Sequence, residues 1–169
     1  MRKEVRLYNI LFPLWLLIWI PSWLWLFLIP GNYAVDTLVT SLAMKHEGVP
    51  EYKKKAFQHS WKICIAGFLS DFAGAGLLLA ICMADDGARP AFFRELVRGI
   101  TWSPFSFFPS FLVIVLAVLI SASCIYFLDR WILSMDSTLT KEQAKRTAFW
   151  LAVFTAPYLF LFPSALLYR

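Results

Sequence analysis

WKICIAGFLSDFAGAGLLLAICM, residues 61–83, decides the fold class of this chain. From Ile63 to Ala84 its single charged side chain is Asp71, and the apolar residues form a block instead of recurring at helical or strand period. About 20 such residues are what a helix needs to cross roughly 30 Å of hydrocarbon. Lipid cannot satisfy a bare peptide group, so a spanning segment is a helix or part of a closed barrel. The block lacks the apolar/polar alternation of a barrel strand. A helix is the reading that remains.

The rest of the 169 residues has the same character: 60% are hydrophobic, 18% aromatic and 16% charged, with a mean hydropathy of +0.64. A soluble domain has no surface that can carry such a composition. The expected architecture is therefore all-α, a polytopic helical membrane protein forming one domain over 1–169. It has four full transmembrane helices and one short or re-entrant helix, with spans at about 7–29, 32–44 (short or re-entrant), 61–83, 106–128 and 147–167. The basic N-terminal flank precedes an apolar stretch too long for a signal peptide and without a small-x-small cleavage site, which predicts a retained first span. Pro30-Gly31 is expected to break the helical ladder at membrane depth, with the first turn there or at Pro21-Ser22. Thr140 and Gln143 have the spacing of a capping box and predict a helix start.

Charge decides whether 32–44 returns the chain to its starting side. If it does, one side collects twelve of the 16 Lys and Arg residues; if it does not, the split is seven against nine. The positive-inside rule selects the return, with a cytoplasmic N-terminus and a cytoplasmic loop at 45–60. The expected location is a plasma membrane, the inner membrane of a bacterium. The net charge of +5 is carried in loops, so orientation and anionic headgroups account for it without nucleic acid. Lys53, Lys54 and Lys55 are the residues expected to meet those headgroups.

Two carboxylates inside apolar segments carry the functional reading, because an ionisable group in hydrocarbon is costly enough to need a reason. Asp36 precedes Lys45 by nine residues and Asp71 follows Lys62 by nine. On adjacent antiparallel helices both would lie about 14 Å from the basic loop, at one depth. Asn32 and Thr40 stand at i−4 and i+4 from Asp36, and Ser70 adjoins Asp71. Ala66, Ser70 and Gly74 repeat every four residues, with Gly67 one turn before Asp71, a small-residue face suited to close helix packing. No Lys or Arg shares these blocks, so a proton or a bound cation must compensate the charge. The expected ion- or proton-binding set is Asp36, Asp71, Asn32, Ser70 and Thr40, and the expected packing set is Ala66, Gly67 and Gly74. The alternative is that each aspartate is packing glue.

Other residues point less far. Cys64, Cys82 and Cys124 show no Cys-x-x-Cys spacing and read as small apolar residues. His46 and His59 read as parts of a solvated loop, not as a metal site. Trp15, Trp19, Trp23 and Trp25 are expected at the interface or against lipid, with a cavity lining as the rival reading. No Gly-rich phosphate loop is present, which argues against nucleotide hydrolysis.

Paired membrane aspartates occur in intramembrane aspartyl peptidases, and the length is similar to that of lipoprotein signal peptidases. Here Asn32-Tyr33-Ala34-Val35-Asp36 has one residue more than their Asn-x-Ala-Asp and precedes Ser70-Asp71-Phe72, so no catalytic roles carry over. Three function classes follow: transport or ion conduction at Asp36 and Asp71, completed by a homo-oligomer; an accessory or scaffolding subunit of a larger membrane complex; and an intramembrane aspartyl enzyme. No cofactor or metal is specified by these residues.

Overall fold

The computed structural model describes residues 25–85 and 89–166, together with Pro13, Trp15, Leu16, Trp19 and Trp23. These residues contain helices and no strand. In chain order the helices are α1 (Trp25–His46), α2 (Tyr52–Met83), α3 (Ala91–Thr101), α4 (Phe108–Ser134) and α5 (Lys141–Phe154). Short 3-10 turns follow at Pro104–Ser106, Tyr158–Leu161 and Ser164–Leu166. By length and composition α1, α2 and α4 can cross a membrane, three such helices among the described residues against the four full spans expected of the whole chain.

Helix α1 runs unbroken through Pro30 and Gly31, contrary to the expected break. Pro30 is in the second turn, so its missing N–H removes a single bond to the carbonyl of Leu26, and the remaining ladder carries the helix. The segment read as a short 32–44 hairpin arm is thus part of a 22-residue helix, roughly 33 Å long. The first expected span at 7–29 and the turn at Pro21-Ser22 lie largely outside the described residues.

Helix α2 begins at Tyr52, which puts Lys53, Lys54 and Lys55 on its first turn instead of in a 45–60 loop. Helix-forming Lys, Ala and Gln continue the ladder past the apolar block. Helix α4 likewise runs beyond 128, because Trp131, Ile132 and Leu133 resume the apolar pattern after Asp129 and Arg130. At α5 both reciprocal bonds of the Thr140/Gln143 capping box are made, at 3.1 and 3.0 Å. The helix expected at 147–167 instead ends at Phe154. Pro157 and Pro163 each lack an amide donor, and the chain between them settles into 3-10 turns.

Helix α2 packs most extensively on α4, then α4 on α5 and α1 on α2. Ala66, Ser70 and Gly74 are all buried. A Cβ built on Gly74 would stand 2.5 Å from the Ala117 carbonyl oxygen and closer still to Ser121 Oγ. One apolar core, including Met44, Ile63, Ile125 and Leu151, fills the end where α1 turns into α2 and α4 into α5. A second, including Leu78, Ile100, Ile114 and Phe160, fills the other end. Outside these cores large apolar side chains stand exposed, among them Leu26, Leu38, Leu42, Leu116, Leu119 and Phe127. In water such a surface would aggregate; against lipid tails it is matched.

Polar ties lock the first end. Gln143 Nε2 donates to the Glu47 carbonyl at 3.1 Å, and Arg146 lies 3.7 Å from the Glu47 carboxylate. His59 is largely buried, not solvated, with Nε2 2.9 Å from Asp136 Oδ2. Burial opposes ionisation of Asp136, but the hydroxyl of Thr138, the His59 ring and the Thr138 amide outweigh it and hold the carboxyl down at about 2. The hydropathy pattern hides the burial of His59 because the helix reaches further toward the N-terminus than the apolar block shows.

The Gly74 contact predicts that Gly74→Leu lowers stability by about 1–3 kcal/mol or more, since a backbone carbonyl cannot move aside as a side chain can. Nothing lies within 4 Å of a Cβ built on Gly31. Gly31→Ala should therefore leave stability unchanged or raise it by about 0.5 kcal/mol. Thermal unfolding of both variants in one detergent measures the contrast, and equal melting temperatures would show that α2 does not approach α4 at Gly74.

Candidate functional site

A cavity of about 400 Å³ lies among α1, α2, the segment 154–160 and Trp15. Asn32 and Asp36 reach it from α1, one helical turn apart, and Cys64, Gly67 and Asp71 reach it from α2. The carboxyl of Asp36 lies against Gly67, where an added Cβ would be 3.9 Å from Oδ2, and it accepts a hydrogen bond from the Cys64 thiol. Asp36 is 6% exposed. Its own ladder is reinforced by Thr40, whose hydroxyl donates to the Asp36 carbonyl at 2.6 Å.

Asp36 is thus level with Cys64 and Gly67, and Asp71 stands one turn further from the basic end, about 6 Å along α2. The expected equal depth fails because α2 starts inside the segment taken as loop. Helical side chains lean toward their own N-terminus. On antiparallel α1 and α2 this tilts Asp36 and Asp71 toward each other across the offset. Asp71 lies within electrostatic reach of Asp36, and its buried Oδ1 has no hydrogen-bond partner among the described residues.

The expected binding set is therefore divided. Asn32, Asp36 and Asp71 share the cavity, whereas Ser70 and Thr40 do not line it. Ser70 donates to the Ala66 carbonyl at 2.7 Å, on the face turned to α4. Of the expected packing residues, Ala66 and Gly74 are buried in the bundle, and Gly67 instead gives Asp36 its space. Trp15 and Trp25 line the cavity, and Trp25 stacks on Phe68 with ring centroids 6.2 Å apart. Trp23 is exposed, as lipid or interfacial contact requires. Trp15 is buried, and its indole N–H donates to the Ile100 carbonyl at 3.2 Å.

Asp129 is a third buried carboxylate, one residue past the expected 106–128 span. It is 0% exposed, and neither carboxyl oxygen has a hydrogen-bond partner among the described residues. Ile125 and Leu133, one turn either side, pack in the core with Ala56 and Ile63 of α2. Asp129 is within electrostatic reach of Asp36. With Gly74 seated on Ala117 and Ser121, antiparallel α4 brings Asp129 about level with Cys64, and so with Asp36. The signal was present in the apolar Trp131-Ile132-Leu133 that follows, which extends the helix and turns Asp129 onto the Ser121 and Ile125 face.

No Lys or Arg forms an ion pair with any of the three among the described residues, and no group of three or more His, Cys, Asp or Glu there is arranged to hold a metal ion. No family model, no curated protein and no solved structure matches this chain.

Asp129→Leu removes a buried polar group that has no protein partner, so its melting temperature should equal or exceed that of the parent. Asp129→Asn should leave it near the parent value. A marked fall for Asp129→Leu alone would mean that the carboxyl is engaged by a bound ion or ordered water.

Proposed function

We propose that this chain is an integral membrane protein that moves a cation or proton across the bilayer through Asp36 and Asp71. The observation that supports this reading is that both carboxylates face one cavity that no cationic side chain among the described residues lines. Buried carboxylates without a fixed countercharge are a device for taking up and releasing a mobile one. Asp129, within electrostatic reach of Asp36, adds a third buried acid to the pair. Because α1, α2 and α4 alone do not enclose a route across the membrane, a second copy of the chain completes it.

In the membrane we assign the α1–α2 turn and the α4–α5 loop to the cytoplasmic side. Nine Lys and Arg residues lie between Lys45 and Lys62 or between Arg130 and Arg146, against three from Arg89 to Arg98. Lys53, Lys54 and Lys55 then face anionic headgroups. Helix α3, with Arg94, Glu95 and Arg98 exposed and Gly99 and Ile100 buried, lies along the opposite interface. The scaffolding alternative draws less support, because the Ala66–Ser70–Gly74 face is already spent inside the bundle. The protease alternative draws none from hydrogen bonding, since none joins Asp36 to Asp71.

The topology predicts that Lys54→Cys reacts with a membrane-impermeant thiol reagent only after the membrane is opened, whereas Asp85→Cys reacts in intact cells. The reverse pattern would invert the assignment.

Transport predicts that Asp36→Asn and Asp71→Asn fold normally yet lose most proton- or cation-dependent flux in proteoliposomes, read with a pH-sensitive dye and several cations in turn. Unimpaired flux in both, or no flux in the parent for any cation or proton gradient, would sink the transport reading.

A further inference from the structure

The cavity is larger and more apolar than a proton or a bare metal ion needs. Its volume of about 400 Å³ falls in the range of small-molecule sites. Among the described residues its polar side chains are Asp36, Asp71, Asn32 and Cys64 on α1 and α2, with Thr155 and Tyr158 on the segment 154–160. The indoles of Trp15 and Trp25 and the rings of Phe68 and Phe160 share the lining. Aromatic faces carry negative potential and attract cations whose charge is spread over an apolar body, which a strongly hydrated metal ion is not. Carboxylates next to aromatic rings, with no Lys or Arg in the lining among the described residues, discriminate by charge as well as by hydrophobicity.

We infer that this cavity binds an apolar organic cation, a substituted ammonium or a similar onium, with its charge against Asp36 and Asp71 and its body against Trp25 and Phe68. The inference rests on the transport reading of the same two aspartates and names its substrate class. Cys64 and Gly67 of α2 lie beside the Asp36 carboxyl in the lining. Asn32, one turn from Asp36, offers an amide oxygen to an ammonium N–H when the ligand has one.

The test uses two probes of the same shape and opposite charge, tetraphenylphosphonium and tetraphenylborate, titrated into the purified full chain in nanodiscs. The expected result is saturable binding of the cation, at least about tenfold tighter than the anion, with the preference lost in Asp36→Asn/Asp71→Asn and the cation weakened in Trp25→Leu. Equal binding of both ions by the parent chain overturns the inference without any variant, and so does a preference that survives the double substitution in a protein of parental melting temperature. Liposome flux separates the two levels. Flux of protons or inorganic cations with no onium binding overturns the substrate class and leaves the transport reading standing. Onium binding with no flux of any cation supports the site and overturns transport.

Discussion

The approach of α2 to α4 at Gly74 sets the geometry of everything else. With hydrogen in place of a side chain, α2 comes down onto the backbone carbonyl of Ala117, and the hydroxyl of Ser121 sits where a Cβ would be. In lipid the hydrophobic effect does not drive two apolar helices together, so close contact of backbones must supply the attraction. Once α2 is seated on α4, its Cys64–Gly67–Asp71 face is turned away from that contact and toward α1. The cavity lies where α1 meets this second face, with the Asp36 carboxyl opposite Gly67 at a distance that would also admit a methyl group.

The two ends of the bundle are built differently. At the basic end, Glu47 receives Gln143 and Arg146, His59 meets Asp136, and a capping box starts α5 beside the α1–α2 turn. These polar ties lie where water can reach them, and they bring four helix ends into one block. Toward the other end α5 stops at Phe154, and short 3-10 turns continue beside the cavity. Irregular backbone at such depth is tolerated where it is buried in protein or lines a cavity.

Hydropathy makes the helical class legible, because a block such as 61–83 has no other stable form in lipid. The Thr140/Gln143 start is legible because capping is local chemistry. Helix ends elsewhere are not. Lys53, Lys54 and Lys55 are polar by composition yet helical by propensity, and hydropathy sees only the first property. Proline breaks a helix on average, although Pro30, near a helix start, costs one bond. For the candidate site, Asp36, Asp71 and Asn32 are legible as polar residues in apolar blocks. Asp129 is hidden by its neighbour Arg130, which makes a buried turn of helix resemble a loop. The roles of Cys64 and Trp25 depend on which face of each helix meets its neighbour, and no local pattern encodes that.

The length of α2 has a consequence for the lipid around it. Its 32 residues extend roughly 48 Å, well beyond the hydrocarbon of a bilayer, but the portion from Ile63 to Met83 measures only about 32 Å. Trp61 and Lys62 mark the boundary, with the ammonium 5.5 Å from the indole centroid, and the roughly two and a half turns before them are mostly polar. A helix that is apolar for its full length must tilt or stretch the bilayer to hide the surplus. In α2 the surplus is water-soluble, so the helix can stand near the membrane normal and project its first turns into the aqueous phase. Its depth is then fixed by the Trp61–Lys62 girdle, and hydrophobic mismatch is relieved without moving Asp71 relative to the interface.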